Sequence, residues 1–111
     1  MMFDYSFKEF KTWLSSRRAA STASSYRFEM ARLSEFVNQV DGLRKVEEWK
    51  AGDYQLVMTQ LKTSKEWRDY NVRKHNSSSA AIGQYFKYLD FDSMVEITKQ
   101  SYGNPSMLSI L

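Results

Sequence analysis

The stretch from Ser21 to Val40 constrains the fold more than any other part of the chain. Its apolar side chains recur at steps of four and three residues, which places them on one face of an α-helix. The residues of this face are Tyr26, Met30, Leu33, Val37 and Val40. We predict that Ser21 caps this helix through its hydroxyl, and that Gly42 adopts the left-handed conformation beyond its end.

The rest of the composition favours further helices in a single domain. The chain has 111 residues, of which 42% are hydrophobic, so it can bury a core. It contains one Pro and four Gly and has no alternating run of β-branched residues, so strands are not expected. We therefore predict an all-α fold without internal repeats.

Apolar spacing and capping residues predict four more helices. These span residues 1–16, 53–61, 65–89 and 94–101, and the central helix itself runs over 22–40. We expect Trp49 to be buried and the polar run Asn76–Ser79 to bend the long fourth helix without ending it. The last helix is predicted to be capped by Asp92 or Ser93 and ended by residues 103–105.

Two side chains raise separate questions. Phe28 lies opposite the apolar face of the central helix, so we expect the first helix or a loop to cover it. The alternative is that Phe28 contacts a partner. His75 lies on the predicted inner side of the fourth helix, where a hydrogen-bonded core histidine is the expected role.

The sequence contains no pattern typical of a catalytic or cofactor site. There is no Cys and a single His, which excludes disulfides and two-histidine zinc sites. No glycine-rich phosphate loop or carboxylate cluster is present. We expect a binding module without metal or cofactor. No apolar run is long enough for a membrane span and no signal-peptide pattern is present, so a cytoplasmic location is predicted.

Charge is distributed unevenly along the chain. The net charge is +3, which divides into +5 for residues 1–89 and −2 for residues 90–111. A basic body with an acidic tail suits a polyanionic partner.

Two polar patches combine short hydroxyl side chains with cations, a mixture suited to phosphate contacts. The first surrounds the start of the central helix and consists of Arg17, Arg18, Ser21, Thr22, Ser25 and Arg27. The second lies on the fourth helix and consists of Arg68, Arg73, Lys74 and Ser77. We expect the two helix starts to lie side by side and form one cationic groove. A solvated helix start is the alternative for the first patch.

The order of these features resembles the N-terminal core-binding domain of tyrosine recombinases, the phage-integrase family. The similar segments are FKEFKTWL, a Thr22-x3-Tyr26 helix start, DYQLVMTQL, VRKHNSSSAAIGQYFKYL and Asn104-Pro105. Together they cover roughly residues 5–106. The resemblance implies a SAM-like four-helix bundle, here with a short extra C-terminal helix. It also implies a domain over 1–106, with residues 107–111 starting a linker to a catalytic domain.

The resemblance further implies a clamp on double-stranded DNA, in which the second and fourth helices face the duplex. The residues carried over are Thr22, Ser25 and Arg27 on the second helix, and Arg73, Lys74 and Ser77 on the fourth. Arg17, Arg18 and Ser21 join them from the charge and hydroxyl pattern alone. The expected partners are duplex DNA, the catalytic domain of the same parent chain and further recombinase protomers.

No catalytic residue is expected in this chain, because the family keeps its chemistry in the separate catalytic domain. His75 is not followed by the Arg of the family's His-x-x-Arg motif. One rival hypothesis is a helical protein-interaction module that uses Phe28 with Met107, Leu108 and Ile110. Another is a helix-turn-helix repressor, which needs a tight turn that no pair of predicted helices provides.

Overall fold

The computed structural model describes residues 7–102, with side chains described for residues 7–94, and this part of the chain contains five α-helices. They are α1 (Lys8–Ser15), α2 (Ala20–Val37), α3 (Tyr54–Leu61), α4 (Lys65–Arg73) and α5 (Ser77–Tyr102). Two 3₁₀ turns, Val46–Glu48 and Ala51–Asp53, connect α2 to α3. No strand occurs among the described residues, which confirms the all-α prediction. None of these helices is long and apolar enough to cross a membrane.

Helix α2 is central to the bundle and packs against both α1 and α5. Its predicted apolar face is confirmed, because Met30, Leu33 and Val37 are all buried. Tyr26 packs against this core. The helix ends at Val37, so the predicted end at Val40 is wrong, and Val40 is a half-buried residue beyond the helix. Burial of such side chains is worth about 1.5–3 kcal/mol each, so this face accounts for much of the stability of α2.

Aromatic rings join α1 to α5 along a line that we call the aromatic seam. The seam consists of Phe7, Phe10 and Trp13 on α1 and the adjoining loop, and Tyr85, Tyr88 and Phe91 on α5. Phe7 meets Tyr85 and Trp13 meets Phe91, so the two helices run in the same direction. Trp49 is buried and stacks on Phe86 at 5.6 Å, as expected for a core tryptophan.

The prediction of one long helix over residues 65–89 is wrong. Helix α4 ends at Arg73 and α5 begins at Ser77. Between them His75 and Asn76 adopt left-handed backbone conformations, with φ of 53° and 66°. The run of poor helix formers lowers the cost of stopping here. His75 is therefore an exposed turn residue and not the predicted core histidine.

Side-chain hydrogen bonds hold this break in place, and we call the group the polar junction. Its members are Trp67, Asn71, Asn76, Ser78 and Ser79. The Trp67 indole N–H donates to the buried Ser78 hydroxyl at 3.0 Å. The Ser79 backbone amide donates to the side-chain oxygen Oδ1 of Asn71 at 2.9 Å. These bonds give acceptors to the Trp67 indole N–H and to the Ser79 amide, which lies in the first turn of α5 and has no partner within that helix.

Two other predicted boundaries differ from the structure. Helix α5 continues without interruption to Tyr102, so Asp92 and Ser93 lie inside it and no separate last helix forms. No Gly or Pro lies between residues 84 and 102, so nothing ends the helix there. Helix α1 begins at Lys8 with Phe7 as its N-cap, so the prediction of one continuous helix over residues 1–16 is wrong at Phe7. Residues 1–6 and the stop at residues 103–105 fall outside the described residues.

The start of α2 is also different from the prediction. Ala19 occupies the N-cap position with no side-chain cap bond, so Ser21 is the second residue of the helix and not its cap. Gly42 does adopt the predicted left-handed conformation, with φ of 80°. Phe28 is 58% exposed, so the prediction that a helix or loop covers it is wrong.

Candidate nucleic-acid interface

The turn between α1 and α2 places two of the predicted cations against the middle of α5. Arg17 and Arg18 line a groove of about 450 Å³ on this side of the molecule. The other residues of the groove are Trp13, Gln84, Lys87, Asp90, Phe91 and Met94. Three cations and one carboxylate therefore share one concave surface, which gives it a net positive charge.

Arg17 has the most defined environment of these cations. Its guanidinium carbon lies 4.7 Å from the centre of the Trp13 ring and 5.9 Å from that of Phe91. Both rings are within the range at which cation–π attraction operates. The Arg17 residue is nevertheless exposed, so the guanidinium stays accessible to a ligand.

The other predicted residues of this patch follow on the first two turns of α2. Ser21 and Ser25 are exposed, whereas Thr22 and Arg27 are half-buried. The Ala23 amide donates to the Ala19 carbonyl at 3.0 Å, so the first turn is a regular helical turn. Ser21 and Ser25 present hydroxyls to solvent and can donate to a phosphate oxygen.

The second patch surrounds the polar junction. Lys74 lies over the Tyr70 ring at 5.9 Å. Arg73 borders a shallow depression that is also lined by Phe36, Val72 and the carboxylates Glu66 and Asp69. The Ser77 hydroxyl donates to the Lys74 carbonyl at 2.6 Å. These contacts fix the start of α5 and leave Arg73 and Lys74 exposed.

The helix start at Ser77 is less suited to bind an anion through its amides than the sequence predicts. The Ser77 amide donates to the Lys74 carbonyl and the Ser79 amide donates to Asn71. Backbone donors engaged within the chain do not bind a ligand at the same time. A phosphate contact at this end of α5 therefore relies more on the side chains of Arg73 and Lys74 than on these two amides.

The expected side-by-side arrangement of the two helix starts is not found. Arg17 and Arg18 meet α5 near Lys87, whereas later residues of α2 meet α4, since Glu29 accepts from the Tyr70 hydroxyl at 2.7 Å. Helix α2 therefore runs antiparallel to α5. The first patch lies beside the middle of α5, and the second lies at its beginning.

One side of α5 connects the two patches. Ser77, Ala80, Gln84 and Lys87 follow each other at steps of three, four and three residues and so share one side of the helix. The ten residue steps from Ser77 to Lys87 span about 15 Å of helix. Arg73 lies at the end of α4, so the prediction that Arg73 and Ser77 share one helix is wrong.

Two segments that contribute cations to this surface contain no carboxylate, and Asp90, which lines the groove, directly follows the second of them. Residues 10–28 and residues 70–89 contain no Asp or Glu. The seven cations of these two segments are Lys11, Arg17, Arg18, Arg27, Arg73, Lys74 and Lys87. The remainder of the chain holds nine cations and all thirteen acidic residues. Positive charge is therefore concentrated in the two segments, which include the start of α2 and the first half of α5.

The first carboxylate of α2, Glu29, is removed from the surface. It is 7% exposed and is hydrogen-bonded to Tyr70, whose hydroxyl donates to it. Burial, followed by this carboxylate, raises the pKa of Tyr70 above its usual value. Glu29 thus acts as an internal hydrogen-bond acceptor between α2 and α4.

Sequence reasoning missed three residues of this surface, namely Trp13, Lys87 and Phe91. Lys87 shares a helical side with Ser77 and Gln84, and that spacing was the signal that could have identified it. Nothing in the sequence indicates that Trp13 and Phe91 contact Arg17, because the contact depends on how α1 packs on α5.

Further observations limit the chemistry of the molecule. Within the described residues no group of three or more His, Cys, Asp or Glu side chains is arranged to hold a metal ion. Comparison of the chain with protein-family models, with curated proteins and with solved structures gives no match.

Proposed function

We propose that the chain is a non-catalytic domain that binds double-stranded DNA, chiefly through the phosphate backbone. The observation that carries this proposal is the concentration of seven cations and no carboxylate in residues 10–28 and 70–89. These segments meet where Arg17, Arg18 and Lys87 line one groove. Clustered Lys and Arg on one side of a small domain form the electrostatic footprint typical of DNA-binding proteins.

The dimensions of α5 support contacts on a duplex. The roughly 15 Å from Ser77 to Lys87 is comparable with the width of the major groove, about 12 Å. Cations at both ends of this segment are therefore suitably spaced for phosphates on either side of one groove. Ala80 and Gly83 between them are small, and Gln84 is a candidate for hydrogen bonds to base edges.

The resemblance to the core-binding domain of tyrosine recombinases extends this proposal. If the chain is such a core-binding domain, α2 and α5 of a SAM-like bundle face the recombination site. The catalytic domain of a parent chain and further protomers are then the additional partners. The assignment predicts a His-x-x-Arg motif and a late Tyr in the reading frame after Leu111. Absence of both from the genomic sequence would exclude the recombinase part and leave the DNA-binding part standing.

Fluorescence anisotropy with a labelled 20-base-pair duplex over a range of salt concentrations tests the DNA-binding proposal. For about three to five phosphate contacts we expect a slope of log K against log salt of about −3 to −4.5. Replacing Arg17, Arg18 and Lys87 together by Ala should reduce the magnitude of this slope by about 2 to 3.

The matched control replaces Arg44, Lys45 and Lys62, three exposed cations outside the two carboxylate-free segments, by Ala. This variant has the same net charge as the first and should keep the wild-type slope to within about 0.5. Equal losses in the two variants would mean that binding follows net charge alone, and the proposed surface would be wrong.

A helical protein-interaction module is a second candidate, and the exposure of Phe28 favours it. Phe28 borders a depression of about 230 Å³ on the outer side of α2, with Ala31, Arg32 and Glu35 among its lining residues. The other residues of that hypothesis, 107–110, lie outside the described part. Concentration-dependent sedimentation that Phe28→Ser abolishes, without DNA binding, would support this candidate over the first.

A further inference from the structure

The environment of Arg17 distinguishes it from the other cations of the groove. Its guanidinium carbon lies beside both Trp13 and Phe91, at 4.7 and 5.9 Å from the centres of their rings. In the described part of the chain, neither Arg18 nor Lys87 is placed over a ring in this way. One of the three cations is therefore held by its neighbours.

The rings that hold Arg17 are themselves fixed. Trp13 packs against Tyr88 at 5.8 Å and against Phe91 at 6.1 Å. Tyr88 in turn packs against the buried Phe10 and donates a hydrogen bond to Glu9 at 3.3 Å. The position of the guanidinium is thus determined by packing between α1 and α5.

Both rings lie to one side of the Arg17 guanidinium, and the residue is exposed, so hydrogen-bonding groups remain available on its solvent side. The N–H groups of Arg lie in one plane and can act together. Two parallel N–H groups can then bind two oxygens of one phosphate. Because Arg17 is already ordered, binding costs less side-chain entropy than it does for a freely rotating Arg or Lys.

We propose that Arg17, positioned by Trp13 and Phe91, binds one phosphodiester group of the DNA through a bidentate contact and sets the position of the duplex on the groove. Arg18 and Lys87 supply charge around that phosphate, against the single carboxylate of Asp90. Phe91 is a positioning residue, and its ring is 42% exposed beside the ligand. This inference rests on the proposed DNA binding and specifies where the most ordered contact lies.

Charge-preserving substitutions test the inference with the same labelled duplex. Arg17→Lys keeps the charge but loses the planar group, and we expect binding to weaken about five- to tenfold. Arg18→Lys is the matched control at the neighbouring position and should weaken binding less than about twofold. Equal effects of the two substitutions would overturn the proposal.

A second variant separates positioning from charge. Phe91→Leu keeps an apolar side chain but removes the ring, and should weaken binding about threefold. The salt slope should stay at the wild-type value, because the number of cations is unchanged. Wild-type affinity in Phe91→Leu would overturn the positioning role, and thermal unfolding of both variants checks that they fold.

The contact between Arg17 and the rings can be observed without DNA. In the wild-type chain, NMR should show the Arg17 Hε resonance shifted upfield by the rings, and Phe91→Leu should reduce that shift. An Arg17 Hε at its free position would exclude the arrangement.

Failure of the DNA-binding proposal gives a different result, because the wild-type chain would then not bind the duplex even at low salt. A carboxylate-rich peptide that binds instead, and is sensitive to Arg17→Lys, would reassign the groove to a protein partner.

Discussion

The two cationic patches are positioned by two regions of the molecule that differ in kind. The aromatic seam holds Arg17 through rings whose centres lie between 5.2 and 6.1 Å apart. The polar junction holds Lys74 at a turn that is fixed by side-chain hydrogen bonds, among them Trp67 to Ser78 at 3.0 Å. One patch depends on non-directional packing and the other on directional bonds between a few polar atoms.

This difference determines how each region responds to mutation. Burial of rings contributes a large free energy that is shared among many contacts, so loss of a whole ring is costly and loss of one atom is tolerated. A hydrogen bond contributes less, but removal of one partner leaves the other buried and unsatisfied. We therefore expect large effects of truncation in the seam and smaller, atom-specific effects at the junction.

Truncation of Phe10 should have the largest effect on stability. Phe10 is 1% exposed and packs against Tyr85 and Tyr88. Phe10→Ala should lower the free energy of unfolding by about 3–5 kcal/mol, measured by urea denaturation. Phe28→Ala, at a ring that is 58% exposed, is the control and should cost much less. Similar losses in the two variants would mean that the seam is not the main packing contact of α1.

Alkaline pH should weaken the seam selectively. Burial raises the pKa of Tyr85 to about 12, with smaller contributions from Tyr88, Glu47 and Asp92. In the unfolded chain the pKa of a tyrosine is about 10. The stabilisation that comes from the neutral Tyr85 phenol is therefore fully present below that pH. This stability, about 2–3 kcal/mol, is lost as pH rises from about 10 to 12.

Urea denaturation at pH 9 and pH 11.5 measures this dependence. Tyr85→Phe cannot ionise, so its loss of stability over this interval should be smaller than that of the wild-type chain. Tyr54→Phe, at a tyrosine that is 37% exposed, provides the comparison. The same pH profile for wild type and Tyr85→Phe would contradict burial of the Tyr85 hydroxyl.

At the junction, removal of the Ser78 hydroxyl should have the largest effect. Ser78 is 1% exposed, and Ser78→Ala leaves the buried Trp67 indole N–H without its acceptor. The expected loss is about 2 kcal/mol. A double-mutant cycle with Trp67→Phe isolates the bond, because Ser78→Ala should cost at least about 1 kcal/mol less in that background. Additive losses would mean that the hydroxyl matters for some other contact.

The seam could be predicted from the sequence to a larger extent than the junction. Phe7, Phe10 and Leu14 recur at helical spacing, so their burial follows from periodicity. The junction joins Trp67 to Ser78 and Asn71 to Ser79, which are eleven and eight residues apart. In one continuous helix such pairs would share a face but lie about 16 and 12 Å apart along the axis, so helical spacing predicts one helix and not these contacts.

The candidate site was predictable only in part for a similar reason. The cations at Arg17 and Arg18 are visible as a local cluster in the sequence. Their convergence with Lys87 depends on the antiparallel packing of α2 on α5, which tertiary contacts decide. The N-cap role predicted for Ser21 failed because the helix starts earlier, and helix ends are set by the chain that leads into them as well as by propensity.

Asn71 tests whether the junction depends on single acceptor atoms. Its carbonyl oxygen accepts from the Ser79 amide at 2.9 Å, in the first turn of α5. Asn71→Ala should lower the free energy of unfolding by about 1 kcal/mol, as loss of a helix cap does. Asn71→Asp keeps the acceptor and places negative charge near a helix N-terminus, so it should stay within about 0.5 kcal/mol of wild type. If both variants lose the same amount, the amide donor of Asn71 and not its oxygen holds the turn.

The smallest expected effect has the opposite sign and comes from the turn itself. His75 is exposed and has φ of 53°, a conformation that glycine adopts without the steric cost of a Cβ. His75→Gly should therefore raise the free energy of unfolding by about 0.5 kcal/mol, since relief of the backbone slightly exceeds the added entropy of the unfolded chain. His75→Val should lower it by about 1–2 kcal/mol, because a β-branched residue is strongly disfavoured at positive φ. Because the side chain is exposed, neither change creates a cavity, and the pair of opposite signs reports the backbone alone. Destabilisation by both substitutions would contradict the left-handed turn, and with it the separation of α4 from α5 that makes the junction a distinct region.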